Sequence, residues 1–253
     1  MMKKNMIKYS GLILLTVLTF YTTSFPQEID ASKPSNFYTF LDNTLELTNS
    51  PNQDVFGYRG NLTYAISAEH LVLVEFPLLY NNRTKKFGMS DIRTRYFWLP
   101  YKDYSQFVGS FGPSVDLFIP AGSFEDGLGT SSWIISPGVM VGLMAADWIQ
   151  FFPILSYQYV SKPTTDAIPD SIKKSRQGLT FQVLIPVVFS PEFFMQFTPI
   201  LSKNDFDDEK QDRFAQEVFA SYAFVEGMQL TGYFRGNFKD KVYTYRLGLT
   251  VFL

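Results

Sequence analysis

Along most of the chain, large apolar side chains recur at every second position, with small or polar ones between them. In the terminal stretch "VYTYRLGLTVFL", Tyr243, Tyr245, Leu247, Leu249, Val251 and Leu253 alternate with Thr244, Arg246, Gly248 and Thr250. A period of two belongs to a β-strand whose two faces meet different surroundings. Read this way, the chain predicts twelve strands, at roughly 38–47, 55–66, 70–80, 89–99, 106–120, 133–144, 148–160, 178–189, 193–201, 214–224, 228–238 and 242–253. Most have 9 to 13 residues, the length of a tilted strand crossing a bilayer. No stretch beyond the N-terminal segment joins a 3.6-residue period to caps, so no helix is predicted there.

The connections alternate. The even ones are short ("SAE", "PYKDYS", "AAD", "SPE", "VEG") and the odd ones are longer and polar ("TNSPNQD", "NNRTKKFG", "AGSFEDGLGTSS", "SKPTTDAIPDSIKKSRQ", "SKNDFDDEKQDR"), until a final short "KDK". A β-sandwich has no reason to sort loops by parity, whereas an outer-membrane barrel has tight periplasmic turns and longer external loops. The faces agree. In one strand Ile135, Pro137, Val139, Val141 and Leu143 oppose Ser136, Gly138, Met140 and Gly142; in another Met228, Leu230 and Phe234 oppose Gln229, Thr231, Tyr233, Arg235 and Asn237. Trp98, Trp133 and Trp148 fall at strand ends, where an aromatic belt would lie. The expected fold is therefore all-β, a transmembrane antiparallel up-and-down barrel of about twelve strands, of the outer-membrane type. In "DIRTRYFW", Ile92, Tyr96 and Trp98 should face lipid, and Asp91, Arg93 and Arg95 the lumen. Six prolines lie inside these strands (Pro77, Pro113, Pro137, Pro153, Pro186 and Pro199), each removing a ladder donor. Most sit near a rim, but Pro113 and Pro153 do not, so bulges or shifted strand boundaries are expected at those two.

The N-terminus carries a different signal. Lys3, Lys4 and Lys8 precede the apolar run "GLILLTVLTFYT", too short for a membrane-spanning helix but suited to a secretory signal. Residues 1–24 are read as a cleaved signal peptide, its end uncertain to about residue 27, then 25–37 as a periplasmic lead-in and 38–253 as the barrel. Losing the three lysines makes the formal charge of −2 three units more negative.

Composition narrows the chemistry. Charged residues are few, at 18%, and aromatics many, at 17%, as suits a lipid-facing wall. With no cysteine there is no disulfide framework, thiolate metal site or lipidated N-terminus, and one histidine, His70, excludes a histidine metal cluster. The near-neutral charge gives nucleic acid nothing to bind, and no cofactor is expected. By parity, Asp42, Glu46, Glu75, Asp91, Asp116 and Glu217 join Arg59, Arg93, Arg95, Arg235 and Arg246 in the lumen. Two readings stand: a polar constriction selecting solutes, anionic ones near Arg93 and Arg95, or salt bridges that simply fill the interior. Twelve strands lie between barrels filled by their own side chains and those with an open channel. A hydrolase would need His70 beside a serine at the outer rim, but the loop parity puts "SAEH" in the periplasm. The acidic loop "NDFDDE" (Asn204 to Glu209) lacks the glycine turn and spacing of a calcium loop and reads as solvated. "GSFEDGLGT", with Phe124, Glu125 and Asp126, reads as an external loop folding over or into the mouth.

Three elements in order carry a resemblance: "LVLVEFPLLY" (Leu71 to Tyr80), "GMSD" (Gly88 to Asp91) and "PSVDLFIPAGSFEDGLGT" (Pro113 to Thr130), with Gly127 and Gly129 spaced after the Pro-x-Gly. Over roughly residues 62–145 the chain resembles the outer-membrane proteins named for the MetA pathway of phenol degradation. Ala121 and Ser90 depart from that pattern, where the family has Thr and a second Gly. The resemblance implies a barrel that tolerates in-strand proline and transports small, hydrophobic or aromatic compounds; it implies no catalytic residue. The leading expectation is a passive outer-membrane channel. A closed barrel with a structural or surface-interaction role comes second, and a lipid hydrolase third. Expected partners are outer-membrane lipid, lipopolysaccharide and the barrel-assembly machinery, through the C-terminal strand.

Overall fold

The computed structural model describes residues 37–102, 104–208 and 212–253, so the segment read as a signal peptide and nearly all of the lead-in lie outside it. The described chain forms β1 (Phe40–Asn49), β2 (Asp54–Ala65), β3 (His70–Asn81), β4 (Lys86–Met89), β5 (Ile92–Trp98), β6 (Tyr101–Lys102), β7 (Val108–Ile119), β8 (Ile134–Ala146), β9 (Ile149–Val160), β10 (Arg176–Val188), β11 (Phe193–Lys203), β12 (Asp212–Val225), β13 (Met228–Asn237) and β14 (Val242–Phe252). Every pairing is antiparallel; neighbours along the chain pair in turn, except that β5 pairs with β3 and β7 past the short β4 and β6, and β1 closes on β14 with Leu45 opposite Leu247. Closure gives a twelve-stranded barrel without edges; β4 and β6 are short pieces added beside β3 and β7. No helix occurs among the described residues.

The outward face is apolar where a soluble protein would be polar. Leu45 is 71% exposed, Leu247 62% and Val139 56%, and they belong to a belt that runs around the wall. A belt of this extent needs a non-aqueous environment. Trp98 and Trp148 mark one rim of the belt and Trp133 the other. His70 stacks between Tyr96 and Trp98 at the first rim, each ring centroid 5.9 Å away.

The in-strand prolines are accommodated differently from the sequence expectation. Pro113 keeps its register with Val139 of β8, and Pro153 with Val183 of β10. Each lacks its bond toward the other neighbour. Pro113 faces the gap between β5 and β6, and the β8–β9 ladder skips its rungs at Pro153 without changing register. The reason is that N–H and C=O of one antiparallel residue point to the same neighbour, so a proline weakens one ladder only. The register shifts lie elsewhere, between Val108 and Ser110, Met144 and Ala146, and Ala223 and Val225. At the gap, the carbonyl of Trp98 passes so close to Gly112 that a Cβ there would lie 1.9 Å from it.

The expected fourth strand is broken. Leu78 pairs with Met89 but Glu75 with Arg93, so Phe76 and Pro77 face three residues, Ser90, Asp91 and Ile92. This bulge of one residue reverses parity between β4 and β5. Two loops expected to be long are also tight. The β1–β2 connection is residues 50–53 and the β3–β4 connection 82–85, because the polar strand ends go on pairing. Residues 120–133, 161–175 and 204–208 lie in the long loops, all at the end opposite the termini.

Candidate functional site

The barrel interior is layered. Across its middle runs a belt of ion pairs built from β1, β2, β3, β5, β7 and β14. Glu46 receives Arg59 through Nε at 2.5 Å and a second nitrogen at 3.1 Å, and Arg246 Nε at 2.8 Å. Glu75 accepts from Arg59 at 2.8 Å and Arg93 at 3.3 Å. Asp116 is shared by Arg93 at 2.6 Å and Arg95 at 2.5 Å. Three carboxylates thus hold four guanidiniums in one connected network. Opposite, Arg235 meets Glu217 at 3.0 Å through one nitrogen, with its side chain 44% exposed. Phe118 lies 5.3 Å under Arg93, and Phe97 5.6 Å under Arg95. Asp42 stands apart, accepting from Thr250 and Asn61.

Toward the termini the lumen becomes apolar. Phe97, Leu99, Met140, Phe152 and Ile154 form one buried cluster, joined by Phe37, Leu71 and Leu184. Reading the lumen as small and polar missed this layer. Phe97 shares the parity of Arg93 and Arg95, so the signal was present, but "RYFW" reads as a single lipid-facing patch.

Toward the long loops the lumen opens into a cavity of about 610 Å³. Its wall runs from Thr130, Arg176 and Asn237 at the mouth down to Arg95, Phe97 and Ile154. Arg59 and Arg246 lie outside this wall. Arg176 and Arg213, which parity reasoning did not single out, lie on it, and Arg213 is paired with Asp240 at 2.6 Å.

Asp91 is placed differently from its sequence assignment. Because of the bulge it leaves the charge belt and fastens the 120–133 loop, accepting from the Gly122 amide at 3.1 Å, the Thr130 amide at 2.8 Å and the Thr130 hydroxyl at 2.7 Å. That loop enters the mouth. Leu128 is buried against Val55 and Leu79, and Phe124 faces the cavity. The Asp126 carbonyl accepts from Asn81 at 2.9 Å and Thr84 at 2.8 Å, while Glu125 accepts from the Thr165 hydroxyl. Replacing Asp91 with alanine should raise local opening of the loop about tenfold, since several hydrogen bonds to a charged acceptor vanish. Cleavage at Glu125 by a glutamyl-specific protease, in vesicles holding the folded protein, checks this. An unchanged rate would mean that Asp91 does not hold the loop.

Lys174 and Asp205 tie two long loops together at 2.9 Å. The Lys174 ammonium, then the Asp207 amide, hold the Asp205 carboxyl below its usual range. This tie is therefore present at neutral pH and fades as pH falls through the lowered value. No three His, Asp or Glu residues come together among the described residues to hold a metal, and Asp205 is already taken by Lys174. His70 Nδ1 lies 2.6 Å from the Tyr96 hydroxyl on the outer surface, at the rim that bears the termini.

A closed antiparallel barrel with an apolar outer belt and a charged lumen defines the class of outer-membrane-type β-barrels. Among solved structures, the NanC porin superposes with a TM-score of 0.65 at 9% identity, covering 84% of this chain and 100% of its own. The COG4313 outer membrane channel from Pseudomonas putida F1 gives 0.62 at 12% identity, covering 91% and 98%. The KdgM porin, solved in complex with disordered oligogalacturonate, gives 0.55 at 13% identity, covering 84% and 98%. At these identities the likeness is one of fold. No family model and no curated protein sequence matches the chain.

Proposed function

We propose that the protein is an outer-membrane channel for passive passage of small molecules, delivered by a cleaved signal peptide and without catalytic activity. The observation that carries this reading is the lumenal cavity, whose wall runs from the long-loop mouth to Arg93 and Arg95. The outer-membrane channels that share the fold support it. In this reading the termini are periplasmic, lipid and lipopolysaccharide surround the apolar belt, and the assembly machinery reads the final strand. Membership of the MetA-pathway family, with small hydrophobic or aromatic solutes, is the finer form of the same proposal. Arg93, Arg95, Asp116, Glu217 and Arg235 line the cavity, and in this reading they form the constriction of the path.

A second reading, a closed barrel with a structural or surface role, is favoured by the buried apolar cluster and the paired belt. Single-channel recording separates the two. The mature protein in a planar bilayer should conduct steadily, and an Arg93→Ala/Arg95→Ala variant should shift ion selectivity toward cations. Silence from wild-type protein shown to be folded by heat-shifted gel mobility would end the channel reading and leave the closed barrel.

A further inference from the structure

The cavity wall is uneven in charge. It carries five arginines against two carboxylates, Asp116 and Glu217; of the five, Arg213 is closed by Asp240 and Arg93 also reaches Glu75, both carboxylates off the wall. Asp116 is divided between Arg93 and Arg95, and Glu217 engages Arg235 through a single nitrogen. Arg176, at the mouth, is held in no ion pair by a described residue; the nearby Asp205 is bonded to Lys174. The donors of Arg176 and the remaining ones of Arg235 are therefore available to an incoming anion, and their planar fork suits a carboxylate.

The same wall is apolar between these charges. Phe97, Ile154 and Ile200 lie on it, and Phe97 and Ile154 belong to the buried layer beneath. An anion that reaches the arginines thus rests its remaining surface on ring and aliphatic carbons. From this juxtaposition we propose that the vestibule binds small amphiphilic anions, a carboxylate on a compact apolar body. A volume of about 610 Å³ is ample for such a molecule. A polyhydroxylated acid would satisfy the arginines but leave its hydroxyls unpaired against Phe97 and Ile154. A neutral aromatic alcohol would fill the apolar part and lose the guanidiniums. The inference deepens the channel reading and rests on it for the path the anion takes; binding itself is measured without flux.

The test is equilibrium binding to the mature protein in lipid vesicles, with protein-free vesicles as the partition control. The probes are benzoate, galacturonate and benzyl alcohol, and the variant is Arg176→Gln/Arg235→Gln, whose side chains lie outside the central network. Saturable benzoate binding is expected, with galacturonate and benzyl alcohol at least about tenfold weaker and benzoate about tenfold weaker in the variant. Galacturonate equal to benzoate would overturn the amphiphile, and benzyl alcohol equal to benzoate would overturn the arginines. Should the variant fail to fold, the three ligands on the wild type decide alone. Conductance without benzoate binding overturns this inference and leaves the channel; benzoate binding without conductance overturns the channel and leaves the site.

Discussion

Glu46→Ala should destabilise the refolded barrel by about 3–5 kcal/mol, the usual cost of removing one partner from a buried charge network. Glu46 is 6% exposed and receives three nitrogens from Arg59 and Arg246. Without it, Arg59 keeps Glu75, but Arg246 keeps only a 4.0 Å approach to Glu75. Two guanidiniums are then left short of negative charge inside the barrel. Guanidinium-induced unfolding in phospholipid vesicles, followed by gel mobility, gives the number. The double variant Glu46→Ala/Arg246→Ala should recover part of the loss, because the orphaned charge leaves with its partner. A loss below about 1 kcal/mol would mean that water reaches the belt and screens it like a surface pair. That result would count against a sealed interior, so the measurement bears on the closed-barrel reading as well as on stability.

Leu45→Arg should cost about 2–4 kcal/mol in the same assay, the penalty for a cation on the lipid face near mid-bilayer. Leu45 lies in the middle of β1, 71% exposed, opposite Leu247 at 62%. The sign makes this prediction informative. In a water-soluble barrel, replacing so exposed a leucine with arginine would be close to neutral. A neutral outcome in lipid would therefore remove the membrane assignment of this face. Asn49→Arg, at the loop-end rim of the same strand, should cost about 0–1 kcal/mol, following the depth dependence of the lipid-face penalty.

How far the sequence could be read differs from one element to another. The faces of β8, β13 and β14 were legible because inside and outside alternate along each strand, residue by residue. Arg59, Arg93, Arg95, Arg235 and Arg246 could be assigned to the interior for the same reason. Their partners could not. Glu46 reaches Arg246 two hundred residues away only because β1 closes on β14 in a particular register. Asp91 escaped because a single extra residue opposite Pro77 reversed the alternation, which no local pattern announces.

The sequence by itself determined the class of fold, the number of wall strands and, away from the bulge at Ser90 to Ile92, which side chains point inward. These follow from a period of two, which each strand carries locally. Tertiary structure alone decided the height at which each inward side chain sits. Register and strand tilt set that height, gathering guanidiniums and carboxylates from six strands into one belt and Phe97, Met140, Phe152 and Ile154 into an apolar layer beneath it. Parity tells in from out; only closure of the sheet tells which interior residues meet.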